Sequence, residues 1–321
     1  MIQRTDLRKP VLLIGEGELM YSIAVCVSQG DFPIFLVTPD PNHARRVINE
    51  YIIDMSREDI SASSRELTIF DDVPEGIQPE LVIISTPENL AEKKKWIHLA
   101  DQKFESDVTI AINTESTFLS LIQEGGRYPQ RILGMNWTYP AHTTLFLELI
   151  ANDVVDPALV CRIKKDAECW GKDPYLVSGE SGIRSRLMAA MAREAFYLVE
   201  NGYASVKDID RAFRNDAGYY LPFVGIFRYI DLTGASVYGK VMKDLNPELS
   251  KSKILPEFFQ KLVDRGDIGM KNDKGFYIYD KEVKKKIENR FQEFSYAIRE
   301  ITYRRPAEFM KQETTVSDKK K

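Results

Sequence analysis

The stretch VLLIGEGELM at residues 11–20 constrains this chain more than any other. Four apolar residues without alternation, Val11, Leu12, Leu13 and Ile14, suit a strand covered on both faces. Gly15 and Gly17 then permit a tight turn that opens a helix, where backbone amides approach a pyrophosphate. Leu19, on the first helical turn, is read with the two glycines as cofactor-binding. A third small residue normally lets this helix pack closely on its strand. Met20 stands there instead and is expected to push the helix outward or alter the cofactor's seat. Taken alone, the two glycines fit a plain strand-to-helix turn as well as a dinucleotide site.

The same alternation continues along the first half of the chain. Residues 34–37 make a second strand ending at Thr38, where a dinucleotide-binding unit usually carries an Asp or Glu for the adenosine ribose. Here Pro39 and Asp40 follow Thr38, so that carboxylate is displaced by two residues or absent. Arg45 and Arg46 downstream leave NADP open as an alternative to NAD, although a solvated helix face also accounts for them. A helix over 41–54, a polar loop over 56–64, and strands at 67–70, 81–84, 108–112 and 145–150 are expected, with another apolar run ending at residues 134–136. Strands interleaved with helices imply a mostly parallel sheet whose ligands sit at the C-terminal strand ends. Gly15, Thr38, Ser85, Asn113 and Asn136 fall at those ends.

After Asn152 the pattern turns helical. A helix over 156–170 carries Cys161 and Cys169 eight residues apart, nearly on one face, which suits burial. A last strand at 176–178 precedes a long helix over 182–201, whose apolar side includes Leu187, Met188, Met191 and Leu198 and reads as core packing or a dimer face. Shorter helices are expected at 205–215, 225–233, 236–245 and 255–265, with Pro222 and Pro247 in linkers, then a charged helix over 280–303. The polar tail from 314 onward is expected to be disordered. The expected class is α/β: a Rossmann-type, mostly parallel sheet domain over 1–179, an all-helical domain over 180–310, and a tail over 311–321.

Composition narrows the partners. A chain of 321 residues is long enough for two cores, and a net charge of -4 argues against nucleic acid or a membrane surface. No apolar run reaches the ~18 residues that span a bilayer, and the first ten residues are polar, so a cytoplasmic location is expected. Three cysteines without C-x-x-C spacing suggest buried free thiols rather than disulfides or a metal site.

Several segments together resemble the 3-hydroxyacyl-CoA dehydrogenase family. ENLAEK at 88–93 resembles the family's E-N-L-x-x-K, INTEST at 112–117 its strand-end N-T-S-S, and GMNWTYP at 134–140 running on to LELI at 147–150 its G-x-H-F-F-N-P and V-E-V-I. NGYASVKDID at 201–210 is similar to G-x-A-S-x-x-D-I-D, and GMKNDKGFY at 269–277 to the closing G-x-K-x-G-K-G-F-Y. Gly225, Ile226 and Phe227, with Asp231 and Leu232, resemble its G-P-F followed by D-L.

The resemblance implies a Rossmann-type NAD domain, a helical domain that dimerises, hydride transfer between NAD(H) and a 3-hydroxyacyl-CoA or related 3-hydroxy acid, and Glu88, Lys93 and Asn113 near cofactor and substrate. It also exposes departures. Family members use a His held by a Glu as the base. Glu148 keeps the carboxylate, but Asn136 stands at the His position, and an amide is no base near neutral pH. The family's substrate-contacting Ser corresponds to Glu115, with Ser116 beside it, and its Asn to Ser185. His142, on the loop before Glu148, is a replacement base if the loop folds back, and otherwise a surface-loop histidine. Glu115 is another, since burial raises a carboxyl toward a useful base. Asn136 and Ser116 are then expected on the substrate oxygen. His43 and His98 read as solvated. The alternative is a catalytically degenerate paralogue that binds dinucleotide or acyl-CoA without turnover.

Overall fold

The computed structural model describes residues 9–30, 32–57 and 67–304. Most of the expected 56–64 loop, and the tail from 305, lie outside the described residues. The chain divides into two compact units between Ser185 and Arg186.

In the first unit the all-apolar runs become the centre of a sheet, as burial on both faces requires. β1 (Val11–Gly15), β2 (Ile34–Val37), β3 (Leu67–Phe70), β4 (Leu81–Ser85), β5 (Thr109–Ile112), β6 (Ile132–Asn136), β7 (Phe146–Ala151) and β8 (Asp173–Ser178) lie in the order 3-2-1-4-5-6-7-8. Six strands from β3 to β6 are mutually parallel, β7 reverses against β6, and β8 runs parallel to β7. Helices α1 (Gly17–Val27), α2 (Pro41–Arg57), α3 (Leu90–Lys103), α4 (Leu119–Gln123) and α5 (Pro157–Cys169) connect them. This is the Rossmann-type sheet expected from the sequence.

Local chemistry starts two of these helices. Asn89 caps α3 by accepting from the Glu92 amide, and Asp156 caps α5 by accepting from Ala158 with Pro157 in the first turn. The core on one side of the sheet gathers Leu12, Ile14, Val82, Ile84, Ile110, Ile112 and the α3 residues Ile97 and Ala100. Met20 is accommodated within the packing. It is fully buried, with its Cε 3.1 Å from where a Cβ on Gly15 would sit, so the bare glycine makes room for the long side chain.

α6 (Ile183–Glu200) leads into the second unit, which continues with α7 (Val206–Asn215), α8 (Ala217–Thr233), α9 (Ala235–Leu245), α10 (Glu257–Asp264) and α11 (Lys281–Arg304). The family-like G-x-A-S-x-x-D segment proves to be a capping arrangement: Ser205 Oγ accepts from the Asp208 amide and donates to the Asp208 carboxylate. Pro222 lies inside α8 rather than in a linker, because the chain bends at Gly225, whose φ of 68° breaks the helix.

One expectation about burial is corrected, and of the two readings of α6, core packing or a dimer face, the first is removed. Cys26 is buried, but Cys161 and Cys169 are exposed, since the inward face of α5 is set by Val160, Ile163 and Ala167. The apolar side of α6 is not core within the chain, as Leu187 is 58% and Met188 51% exposed. Among the described residues beyond 185, Tyr296 is the only buried apolar side chain. No helix among the described residues is long and apolar enough to cross a membrane.

Candidate active site

The C-terminal ends of the parallel strands bring most of the sequence candidates together. At the end of β1 a Cβ on Gly15 would meet the Ser85 carbonyl oxygen at 2.5 Å, so the backbone of β1 and the end of β4 are held in contact only by a glycine. Gly17 has a φ of +82° and nothing within 4 Å of its Cβ direction, which leaves the turn open on its outer side. Glu16, the N-cap of α1, forms no side-chain cap bond, so the first-turn amides are not spent on it. Leu19 is half-buried on that turn. This open, uncapped helix start fits a dinucleotide pyrophosphate.

Thr38 does not present a side chain to a ribose. It is 1% exposed and its hydroxyl bonds to the Tyr21 hydroxyl at 3.3 Å. Asp40 takes the exposed position instead, with Oδ1 accepting from the His43 amide at the start of α2. Arg45, Arg46 and His43 are exposed on α2, as is His98 on α3.

Glu88 organises the next loop. Its Oε1 accepts from the amides of Glu115 (3.2 Å), Ser116 (2.9 Å) and Thr117 (2.8 Å) and from the Ser116 and Thr117 hydroxyls. Its Oε2 pairs with Lys93 Nζ at 3.0 Å. Burial works against this charge, but the amides of Ser116 and Thr117 and the Lys93 ammonium hold the carboxyl down to about 2.

Lys93 lies one turn into α3 and its side chain is fully buried. It donates to the Asn113 carbonyl at 2.6 Å, and burial pulls its amine below the usual range. The expectation that Lys93 lines a substrate surface is corrected by that burial: it is the counter-ion inside the loop. Asn113 bridges strand ends, accepting from the Thr86 amide and donating to the Thr86 carbonyl.

Asn136 and Glu148 are direct partners across the antiparallel β6–β7 pair. Asn136 Oδ1 accepts from the Thr114 amide at 2.7 Å and Nδ2 donates to Glu148 Oε2 at 2.9 Å. Glu148 Oε1 accepts from the Tyr175 hydroxyl and the Ile183 and Arg184 amides. The carboxylate thus caps α6 while fully buried. Burial and Glu148 push the Tyr175 phenol up, which keeps it a donor. Gly182 closes over the pair: a Cβ there would meet Glu148 Oε2 at 1.9 Å and Asn136 Nδ2 at 2.9 Å. Asn136, 2% exposed, is therefore turned to Thr114 and Glu148 and not outward.

His142 is neither on a surface loop nor beside Glu148. It is 1% exposed, its Nδ1 lies 2.8 Å from Ser22 Oγ, and its ring stacks on Tyr51 at 4.4 Å. The loop after Pro140 packs down on α1 and α2, and this burial removes the residue as an accessible base.

Glu115 is the acidic group that remains open. It is 37% exposed, takes both oxygens to Arg184 Nη1 at 3.2 and 3.3 Å, and accepts from the Ser185 hydroxyl. Burial, with the charges of Glu88 and Glu148, pushes its carboxyl above the usual carboxylate range against the pull of Arg184 and Lys93. Ser116 stands exposed beside it. Arg184, Gly182 and Tyr175 were not singled out from the sequence. The flanking of Ser185 by Arg184 was the one available clue.

A doubly wound sheet with an open glycine turn at β1 and polar strand ends defines a dinucleotide-dependent enzyme scaffold. Residues 10–181 match the model for the NAD binding domain of 3-hydroxyacyl-CoA dehydrogenase, and residues 183–279 match its C-terminal domain. The chain belongs to the 3-hydroxyacyl-CoA dehydrogenase family, an NAD-linked oxidoreductase family, and its cofactor is NAD. It is 25% identical over 288 residues to 5-formyl-3-hydroxy-2-methylpyridine 4-carboxylate 5-dehydrogenase of Mesorhizobium japonicum, covering 87% of this chain and 93% of that one. It is 23% identical to the probable 3-hydroxybutyryl-CoA dehydrogenase of Bacillus subtilis, covering 85% and 98%. A solved structure of a 5-formyl-3-hydroxy-2-methylpyridine 4-carboxylic acid 5-dehydrogenase, an NAD+ dependent dismutase, superposes with a TM-score of 0.85 at 24% identity, over 92% of this chain and 98% of that one.

Proposed function

We propose that the protein is an NAD-dependent oxidoreductase acting on a small 3-hydroxy acid or a related hydroxylated substrate, with Glu115 as general base. The observation that carries this reading is the half-exposed Glu115 carboxylate in the polar cluster after β5, shifted upward by burial and flanked by Arg184 and Ser185. NAD, when bound, accepts the hydride. The Gly15–Gly17 turn and the α1 amides would hold its pyrophosphate, and Asp40 rather than Thr38 would meet the adenosine ribose. Asp40 disfavours a 2′-phosphate, so NAD is preferred over NADP. Glu115 takes the hydroxyl proton and Ser185 steadies its carboxylate, while Ser116 stays bonded to Glu88 and holds the loop beside it. Glu148, held by Asn136, fixes the start of α6 and with it Arg184 and Ser185.

A second reading rests on Asn136, whose oxygen and amide are both committed: a paralogue that binds dinucleotide or acyl-CoA without turnover. A homodimer is part of the proposal in either case, because helices beyond residue 185 that bury one apolar side chain among the described residues need a partner surface. The deciding experiment is thermal-shift titration with NADH and NADPH, with acetoacetyl-CoA- or acetoacetate-dependent consumption of NADH in the same samples. Turnover that falls about 10²–10⁴-fold in Glu115→Gln supports the enzyme. A shift with NADH but no turnover supports the binding protein.

A further inference from the structure

Arg184 has more hydrogen-bonding capacity than its surroundings use. Its backbone amide is fixed on Glu148 Oε1 at 3.2 Å, and its guanidinium lies over the Phe146 ring with Cζ 5.8 Å from the centroid. The first contact fixes the backbone and the second seats the side chain, 38% of which is exposed. Among the described residues only Nη1 forms side-chain hydrogen bonds, both to Glu115, so the Nε–Nη2 edge is unspent. A planar guanidinium with its Nε–Nη2 edge free matches a carboxylate in a bidentate fork. Glu115 is also the anion this guanidinium pairs with, and that pairing weakens when Glu115 takes up a proton.

We infer that Arg184 is the substrate anchor, gripping a free carboxylate on the substrate while Glu115 faces its hydroxyl. This rests on the oxidoreductase reading and names its substrate class: a hydroxy acid with an unesterified carboxylate rather than a coenzyme A thioester. The carboxylate and hydroxyl carbons of a 3-hydroxy acid are two bonds apart, and Arg184 and Glu115 stand side by side to receive them. The incoming carboxylate takes the Nε–Nη2 edge, so Glu115 keeps Nη1 and stays charged to accept the hydroxyl proton. Glu148 does not repel it strongly, because four donors already meet that carboxylate inside the fold.

The test uses the full chain saturated with NADH and two probes, acetoacetate and its neutral isostere acetoacetamide. Binding is followed by calorimetry and KM and kcat by NADH consumption. Acetoacetate should bind about 10- to 100-fold more tightly than the amide. Arg184→Gln should erase that preference mainly through KM, while Arg184→Lys should keep part of it. An unchanged NADH-induced thermal shift in each variant shows that the fold is intact. Equal binding of the two probes, no binding of acetoacetate, or a preference that survives Arg184→Gln overturns the anchor. The two readings fail separately. Turnover of acetoacetyl-CoA without discrimination between the probes leaves the oxidoreductase standing and removes the anchor. Arg184-dependent binding of acetoacetate without turnover does the reverse.

Discussion

Replacing Glu88 with Gln should unfold the first unit more easily, by an amount the structure fixes. The carboxyl sits at about 2 in the folded chain against an ordinary 4.5. That gap corresponds to about 3 kcal/mol at neutral pH, trimmed by solvent at its 29% exposure to about 2–3 kcal/mol. The folded value is the lower one, so this stability is complete above pH 4.5 and drains away as pH falls toward 2. Urea unfolding followed by tryptophan fluorescence is the assay. All three tryptophans, Trp96, Trp137 and Trp170, lie in the first unit, so the signal reports that unit alone. At pH 7 the variant should lose about 2–3 kcal/mol, or about 4–12 °C in melting temperature, and the gap should narrow near pH 3. Adding Lys93→Met should recover about 1 kcal/mol, since the buried ammonium then no longer lacks its counter-ion. A loss below about 0.5 kcal/mol, or a gap of equal size at pH 7 and pH 3, would refute the account of Glu88 as the loop's charged hub.

Gly182→Ala places a Cβ on Glu148 Oε2 and should cost about 1–3 kcal/mol in the same urea assay; wild-type stability would mean that the chain around 182 shifts freely. Gly17→Ala meets no side chain but must hold a φ of +82°, so about 1 kcal/mol of stability and most of the NADH-induced thermal shift should be lost together. The pH profile of kcat/KM should rise with ionisation of a group above the ordinary carboxylate range, because burial raises Glu115 and only its charged form accepts a proton. A profile flat from pH 4 to 7, or unaltered in Glu115→Gln, would assign the base elsewhere.

What the sequence made legible was local or periodic. The β1 turn and the strand ends that follow it depend on residues within a few positions of one another. The unread part of the site depends on partners far apart in the chain. Glu88 works through amides 27 to 29 residues away, and Arg184 matters because Glu115, 69 residues earlier, lies beneath it. His142 was misplaced because its setting is supplied by Ser22, 120 residues back. The cysteines of α5 failed for a smaller reason. Spacing by eight puts two residues on one face but does not say which face is turned inward.

The reversal of β7 against β6 carries a rule of parity for this site. Glu148 faces Asn136 because the antiparallel ladder seats them opposite one another, with Tyr175 in register beyond. A slip of one residue would turn Glu148 to the other face of the sheet, stripping α6 of its cap and Asn136 of its acceptor at once. Chains with this site are therefore bound to the phase of the strand that follows the 137–145 hairpin, whatever residues that hairpin carries.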